Sequence, residues 1–170
     1  MNSALDTILA TVQQEFSDIP DMEQFTRVVV RLLTAMLLGA LIGYERERSD
    51  SAAGLRTHML VSLGAALFVL APRQAGMELG DLSRVLQGIV AGIGFLGAGA
   101  VLKLKDDGVI RGLTTAAGIW ATAAIGITAG LGLETTAVLS TFMVLIILRV
   151  LFRFSHGIEE REQERDETDR

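Results

Sequence analysis

Cysteine is absent from the 170 residues, which excludes disulfides, thiolate nucleophiles and soft thiolate metal ligands together. Proline occurs twice, at Pro20 and Pro72, and each is expected to end a helical segment. The N-terminus lacks a basic region followed by an apolar run: the residues up to Phe16 are interrupted by Asp6, Gln13, Gln14 and Glu15, so no cleaved signal is read there and insertion would rely on internal segments. Also missing are a nucleophile beside a base, a pair of carboxylates inside an apolar segment and a cluster with metal-ligand spacing, which argues against an enzyme. The expectation is a non-enzymatic chain with no cofactor and no bound metal.

Apolar residues, by contrast, abound. Half the chain is apolar and its mean hydropathy is +0.44, too high for an ordinary soluble domain. Asp, Glu, Lys and Arg cluster in short breaks between long apolar runs, so the runs are expected to face lipid and the breaks to be loops. The predicted fold is all-α, a polytopic membrane bundle of about five transmembrane helices at 25–44, 57–71, 85–102, 113–133 and 135–152. Before it, residues 1–24 carry Leu5, Ile8, Leu9, Val12 and Phe16 at helical spacing, which suits an amphipathic helix at the membrane interface or else an unordered start. Asp21 and Gln24 have capping-box spacing for the first span. After the bundle, residues 153–170 form a charged tail that accounts for much of the net charge of −5 and points to no nucleic-acid partner.

Orientation follows from basic residues, which resist translocation. Eleven of the fifteen fall on one side (Arg46, Arg48, Arg56, Lys103, Lys105, Arg111, Arg149, Arg153, Arg161, Arg165 and Arg170), leaving Arg27, Arg31, Arg73 and Arg84 on the other. The N-terminus is therefore expected outside and the C-terminus in the cytoplasm.

Helices in lipid associate through small residues. Gly39 and Gly43, Gly88 and Gly92, and Gly126 and Gly130 each form GxxxG, and the last ridge continues back through Thr122, Gly118 and Thr114. These six glycines are the expected packing positions, and their number favours a homo-oligomer, with a dimer first. Gly92, Gly94 and Gly97 have dinucleotide-fingerprint spacing, but they lie inside an apolar span rather than after a strand, so that reading is rejected. Their angular spread instead implies either tight packing between two neighbours or a local unwinding. Arg31 either points into the bundle or snorkels to the outer interface.

Four stretches then identify the chain's relatives: LLGALIGYERER (37–48), AGLRTHMLVSLGAALF (53–68), GIGFLGAGAVLK (92–103) and RGLTTAAGIWATAAIGITAGLG (111–132). Together, in this order, they resemble the membrane domain of the MgtC/SapB family, and the lack of a long region after the last span resembles its short SapB/YhiD-like branch. The resemblance implies a multi-pass bacterial inner-membrane protein linked to adaptation to low magnesium, to acid stress and to survival inside host cells. Its motifs place Glu45, Arg46, Arg56, Thr57, His58, Arg111, Thr114 and Thr115 at the cytoplasmic boundary. These could form an ion-paired cluster in which Glu45 meets Arg56 or Arg111 from a neighbouring helix, or the arginines could simply anchor the topology. His58 is either a hydrogen-bonded interface residue or a proton sensor, since histidine titrates near about pH 6.5.

Magnesium takes oxygen ligands, and the bordering carboxylates Glu45, Glu78, Asp81 and Glu134 supply no inward-facing pair at mid-membrane. The leading expectation is a regulator acting through other membrane proteins within the bilayer. The alternative is a small-ion transporter, for magnesium or coupled to protons, working as an oligomer; a membrane enzyme comes last.

Overall fold

The computed structural model describes residues 2–19, 21–102 and 112–151. All regular structure there is helical: α1 (Asn2–Glu15), α2 (Met22–Arg48), α3 (Leu55–Gln74), α4 (Leu79–Leu102), α5 (Leu113–Gly130) and α6 (Glu134–Ile146), the last continued by π-helical Ile147–Leu151. The chain divides into two units, Met1–Val30 and Arg31–Arg170.

In the first unit, α1 carries Leu5, Ile8, Leu9 and Val12, all exposed, and Phe16 just beyond it is exposed too. Asp21 caps α2, its Oδ1 accepting the Gln24 backbone N–H at 2.7 Å, which satisfies one of the first-turn donors that have no partner within the helix. Glu23 pairs with Arg27 one turn later.

The second unit is a bundle built on close approach. α2, α3, α4 and α5 are each long and apolar enough to cross a membrane, while the α-helical part of α6 has 13 residues. Along α2, Ala35, Leu38, Gly39 and Ile42 are buried while Leu33, Leu37 and Leu41 are exposed. Exposure of three leucines on one helix is costly in water and natural in lipid. The apolar core gathers Ala35, Leu38, Ile42, Ala66, Ile125, Ala129, Ala137 and Leu148. Alanine and glycine at the crossings bring the backbones together: a Cβ on Gly39 would lie 2.6 Å from the His58 carbonyl oxygen, one on Gly43 2.7 Å from Leu55 Cα, and one on Gly130 2.7 Å from the Ala66 carbonyl oxygen. At Gly126 an added Cβ would sit 2.9 Å from Ser62 Cα. Real Cβ atoms do not come this close, so these glycines set the distances from α2 and α5 to α3.

Gly88 and Gly92 correct the expectation. An added Cβ at either meets nothing within 4 Å, and α4 runs unbroken through Gly92 and Gly94, neither tightly packed nor unwound. Of the described α4 side chains only Leu82 is buried, and an apolar groove of about 640 Å³ separates its Gly88 and Gly92 from Gly64 and Phe68 of α3.

Two helix ends also differ from the sequence reading. α3 does not stop at Pro72 but carries it in its last turn to Gln74. The reversal comes at Gly76 (φ 85°), where the Met77 N–H reaches the Pro72 carbonyl at 2.9 Å and the Gly76 N–H that of Arg73 at 3.1 Å. The same paired closure at Gly132 (φ 83°) joins α5 to α6, with bonds from Leu133 to Thr128 and from Gly132 to Ala129. In both turns glycine supplies the left-handed conformation this closure requires.

Candidate functional site

Where the C-terminal end of α2 meets the N-terminal ends of α3 and α5, polar side chains turn inward. The short α2–α3 connection is held by Ser49 and Ser51 N–H bonds to the Arg46 carbonyl, at 3.2 and 3.1 Å. Glu47 reaches forward, its Oε2 accepting the first N–H of α3 at Leu55, 2.7 Å away. This carboxylate stands in for the missing capping side chain at Gly54 and suits the positive end of the helix dipole. Ser51 Oγ and Thr115 Oγ1 lie 2.9 Å apart and tie the connection to α5.

Beneath this lid sit Glu45 and Arg46, only 8% and 5% exposed, with His58 and Ser62 fully buried. One Glu45 oxygen accepts a hydrogen bond from Ser49 Oγ at 3.0 Å, and the other lies 3.7 Å from Arg46 Nη1. The two charges thus offset each other in a place where either alone would be costly. His58 Nδ1 is 3.0 Å from the Gly54 carbonyl oxygen; a carbonyl only accepts, so Nδ1 carries the hydrogen. Four buried atoms find no hydrogen-bond partner among the described residues: Glu45 Oε2, Arg46 Nε, His58 Nε2 and Ser62 Oγ.

Deeper in the bundle the buried polar side chains turn back on their own helices. Thr122 bonds its own helix at the Gly118 carbonyl, 2.8 Å, and Thr141 does the same at Ala137, also 2.8 Å. Beyond Ser62, Gly126 and Gly130 of α5 close on the α3 backbone, and Ala35, Ala66, Val69 and Ala129 are fully buried. Among the described residues the buried polar cluster therefore ends there. At the far end, about 22 Å along α2 from Arg46 by the helical rise, Arg31 turns to the bundle and approaches the Gly130 carbonyl at 3.5 Å and Glu134 at 3.9 Å.

Of the residues singled out from sequence, Glu45, Arg46, His58 and Thr115 come together, and Arg56, Thr57 and Thr114 do not: all three are exposed. Successive helical residues are separated by about 100°, so with His58 turned inward Arg56 faces out, and Thr115 likewise displaces Thr114. Arg111 lies outside the described residues. Among the described residues the ion-pair partner of Glu45 is its neighbour Arg46 rather than Arg56, which is exposed. Ser62 was missed, though its place one turn after His58 signals a shared face. Glu78 and Asp81 are exposed and far along the chain from Glu45, and among the described residues no group of three or more His, Asp or Glu stands together.

Glycine-set crossings, lipid-facing leucines and a charged pair kept inside define a polytopic, all-helical membrane protein. The chain belongs to the MgtC family, whose pattern matches residues 32–156. It is 49% identical over 129 residues to protein SrpB of Synechococcus elongatus, covering 69% of this chain and 71% of that one. It is also 46% identical over 94 residues to protein MgtC of Salmonella typhimurium, covering 55% of this chain and 39% of the relative. A third relative, YhiD of Escherichia coli K12, named as a candidate magnesium transporter, is 36% identical over 134 residues, 75% of this chain and 61% of its own length. The matched region thus spans less than half of MgtC itself. No solved structure matches the chain.

Proposed function

We propose that this MgtC-family membrane protein is a non-enzymatic regulator of the bacterial inner membrane in magnesium-related adaptation, acting by contact with other membrane proteins and with its own copies. One observation carries the reading: among the described residues the buried polar cluster ends near Ser62, where Gly126 and Gly130 close on the α3 backbone, so the described helices line no polar path from one end to the other. A transporter needs such a path or a second site continuing it. The exposed, glycine-lined face of α4 supports the contact role, since small residues let helices approach in lipid. The excess of basic residues in the 37–56 and 103–111 segments supports an N-terminus outside and a C-terminus in the cytoplasm.

The second reading is transport by an oligomer, with the path between copies; it is favoured by the name of the Escherichia coli relative. Reconstitution of the full chain into liposomes, with dyes reporting magnesium and protons, separates the two. The regulator reading expects flux no greater than in protein-free liposomes. Sustained flux proportional to incorporated protein would overturn it.

A further inference from the structure

Helix α4 divides lengthwise. Leu82, Ile89, Ile93 and Gly97, buried or half-buried, turn to the rest of the bundle, where Ile89 and Ile93 line the groove against α3. The opposite side carries Asp81, Arg84, Gly88, Ala91, Phe95 and Ala98, all exposed, with Phe95 at 81%. Their steps alternate between three and four residues, the spacing that keeps one seam of a helix against a partner helix. In lipid an exposed apolar side chain costs little, so the apolar part of this face asks for no partner. Its polar groups do. Gln87 is exposed on the flank of the seam beside Gly88, about 9 Å further into the span than Asp81 by the helical rise. A primary amide turned to hydrocarbon is costly unless it is hydrogen-bonded. Asp81 and Arg84 stand one turn apart at the end of the same seam, opposite in charge and together neutral.

An acyl chain laid on this face would cover Phe95 and leave the amide without a bond, so the occupant is a helix. Which helix follows from the charges. Copies of one chain insert with one topology, so their α4 helices run parallel, and a two-fold axis along the membrane normal sets each seam residue near its own counterpart. On that axis Asp81 of each copy falls beside the partner's Arg84, and one motif supplies two opposite-charge contacts that fix the register. Gly88, Ala91 and Ala98 are small enough for the two backbones to approach closely. The Gln87 amide then reaches backbone carbonyls of the other copy, which keep a lone pair beyond their own helical bond. We infer that α4 is the face through which two copies of this chain pair, in parallel, along the seam from Asp81 to Ala98. The inference rests on the reading that the protein contacts its own copies, and it assigns that contact to one helix and one register. The bonds of the α2–α3–α5 cluster take no part in it, so pairing leaves the interior of each bundle as it is.

The test uses the full chain, which has no cysteine of its own, reconstituted alone into lipid bilayers. Single cysteines are introduced by Ala91→Cys and Ala98→Cys on the seam and by Val90→Cys and Leu139→Cys off it, all at exposed positions, and the samples are briefly oxidised. Disulfide-linked dimers should be several-fold more abundant at the two seam positions than at the other two. The dimer fraction of cysteine-free chains is then counted by single-molecule photobleaching of a fluorescent fusion. Asp81→Arg or Arg84→Asp alone sets like charges against each other and should lower that fraction several-fold, and the two together should restore it. Cross-linking no stronger on the seam than off it, or a double exchange no better than either single change, would overturn the α4 seam. A parent chain that still pairs in that case keeps the contact between copies and moves it to another face, whereas a parent chain that is monomeric in the bilayer overturns both.

Discussion

Replacing Glu45 with glutamine tests the most deeply buried ion pair among the described residues. The side chains of Glu45 and Arg46 are 9% and 6% exposed, with 3.7 Å between Oε2 and Nη1. In so buried a place, removing one charge leaves the other without compensation, which costs about 3–5 kcal/mol; an exposed pair contributes less than about 1 kcal/mol. Glu45→Gln keeps the shape and can still accept from Ser49 Oγ, so nearly all of its effect is the loss of charge. Arg46→Gln should cost a similar amount by stranding the carboxylate. The double variant leaves two neutral amides, and its cost should fall short of the sum of the singles by about 1–3 kcal/mol. The assay is equilibrium unfolding in mixed micelles followed by helical circular dichroism, read for the parent, both singles and the double. A parallel cycle with Arg56→Gln should be additive, because Arg56 is exposed. Single effects below about 1 kcal/mol, or additivity for Glu45 with Arg46, would refute the buried pair and leave the two residues as boundary charges.

Gly126→Leu should prevent folding or lower stability by at least about 1–3 kcal/mol by driving α5 off α3, whereas Gly92→Leu should leave monomer stability nearly unchanged; equal losses in detergent would contradict the open α4 face. Arg31→Gln should cost no more than about 1 kcal/mol, since its side chain is 21% exposed and Glu134 36%, and a larger loss in the same micelle assay would show that this end is drier than its exposure implies. A reporter fused after Arg170 should be active in the cytoplasm and one near residue 20 outside it, with the reverse result for either removing the basic-residue argument.

The apolar runs were legible because each span keeps charge out over a long stretch, and the capping of α2 by Asp21 was legible because one side chain and one backbone N–H suffice for it. The C-terminal end of α3 was not: Pro72 is tolerated there because the reversal is set four residues later by Gly76. At the site, sequence put Glu45, Arg46, His58 and Thr115 at one boundary, but a motif gives no rotation about the helix axis. Arg56, Thr57 and Thr114 therefore entered the list beside residues that face the opposite way. The GxxxG pattern likewise marks where close approach is possible, and only the fold separates Gly126, pressed on the Ser62 backbone, from Gly92, which faces an open groove.

That separation bears on how a chain of this kind could work. The three helices that surround the buried Glu45–Arg46 pair, α2, α3 and α5, are also the ones locked by Gly39, Gly43, Gly126 and Gly130, so relative motion among them would have to break contacts that no side chain can re-form. Helix α4 has the opposite character, with Leu82 alone buried among its described side chains, and where it runs along α5 a Cβ added at Gly97 would lie an ordinary 3.5 Å from the Ala116 methyl. If the protein changes its contacts in response to a partner, α4 is the element that can shift at little cost, and the α2–α3–α5 pocket is the fixed reference. A cysteine pair joining α4 to α5 at Gly97 and Ala116, introduced into this cysteine-free chain, tests this directly. Cross-linking should leave the stability set by Glu45 and Arg46 intact while abolishing any partner-dependent change in α4 accessibility, and a cross-linked protein that still shows that change would place the mobile element elsewhere.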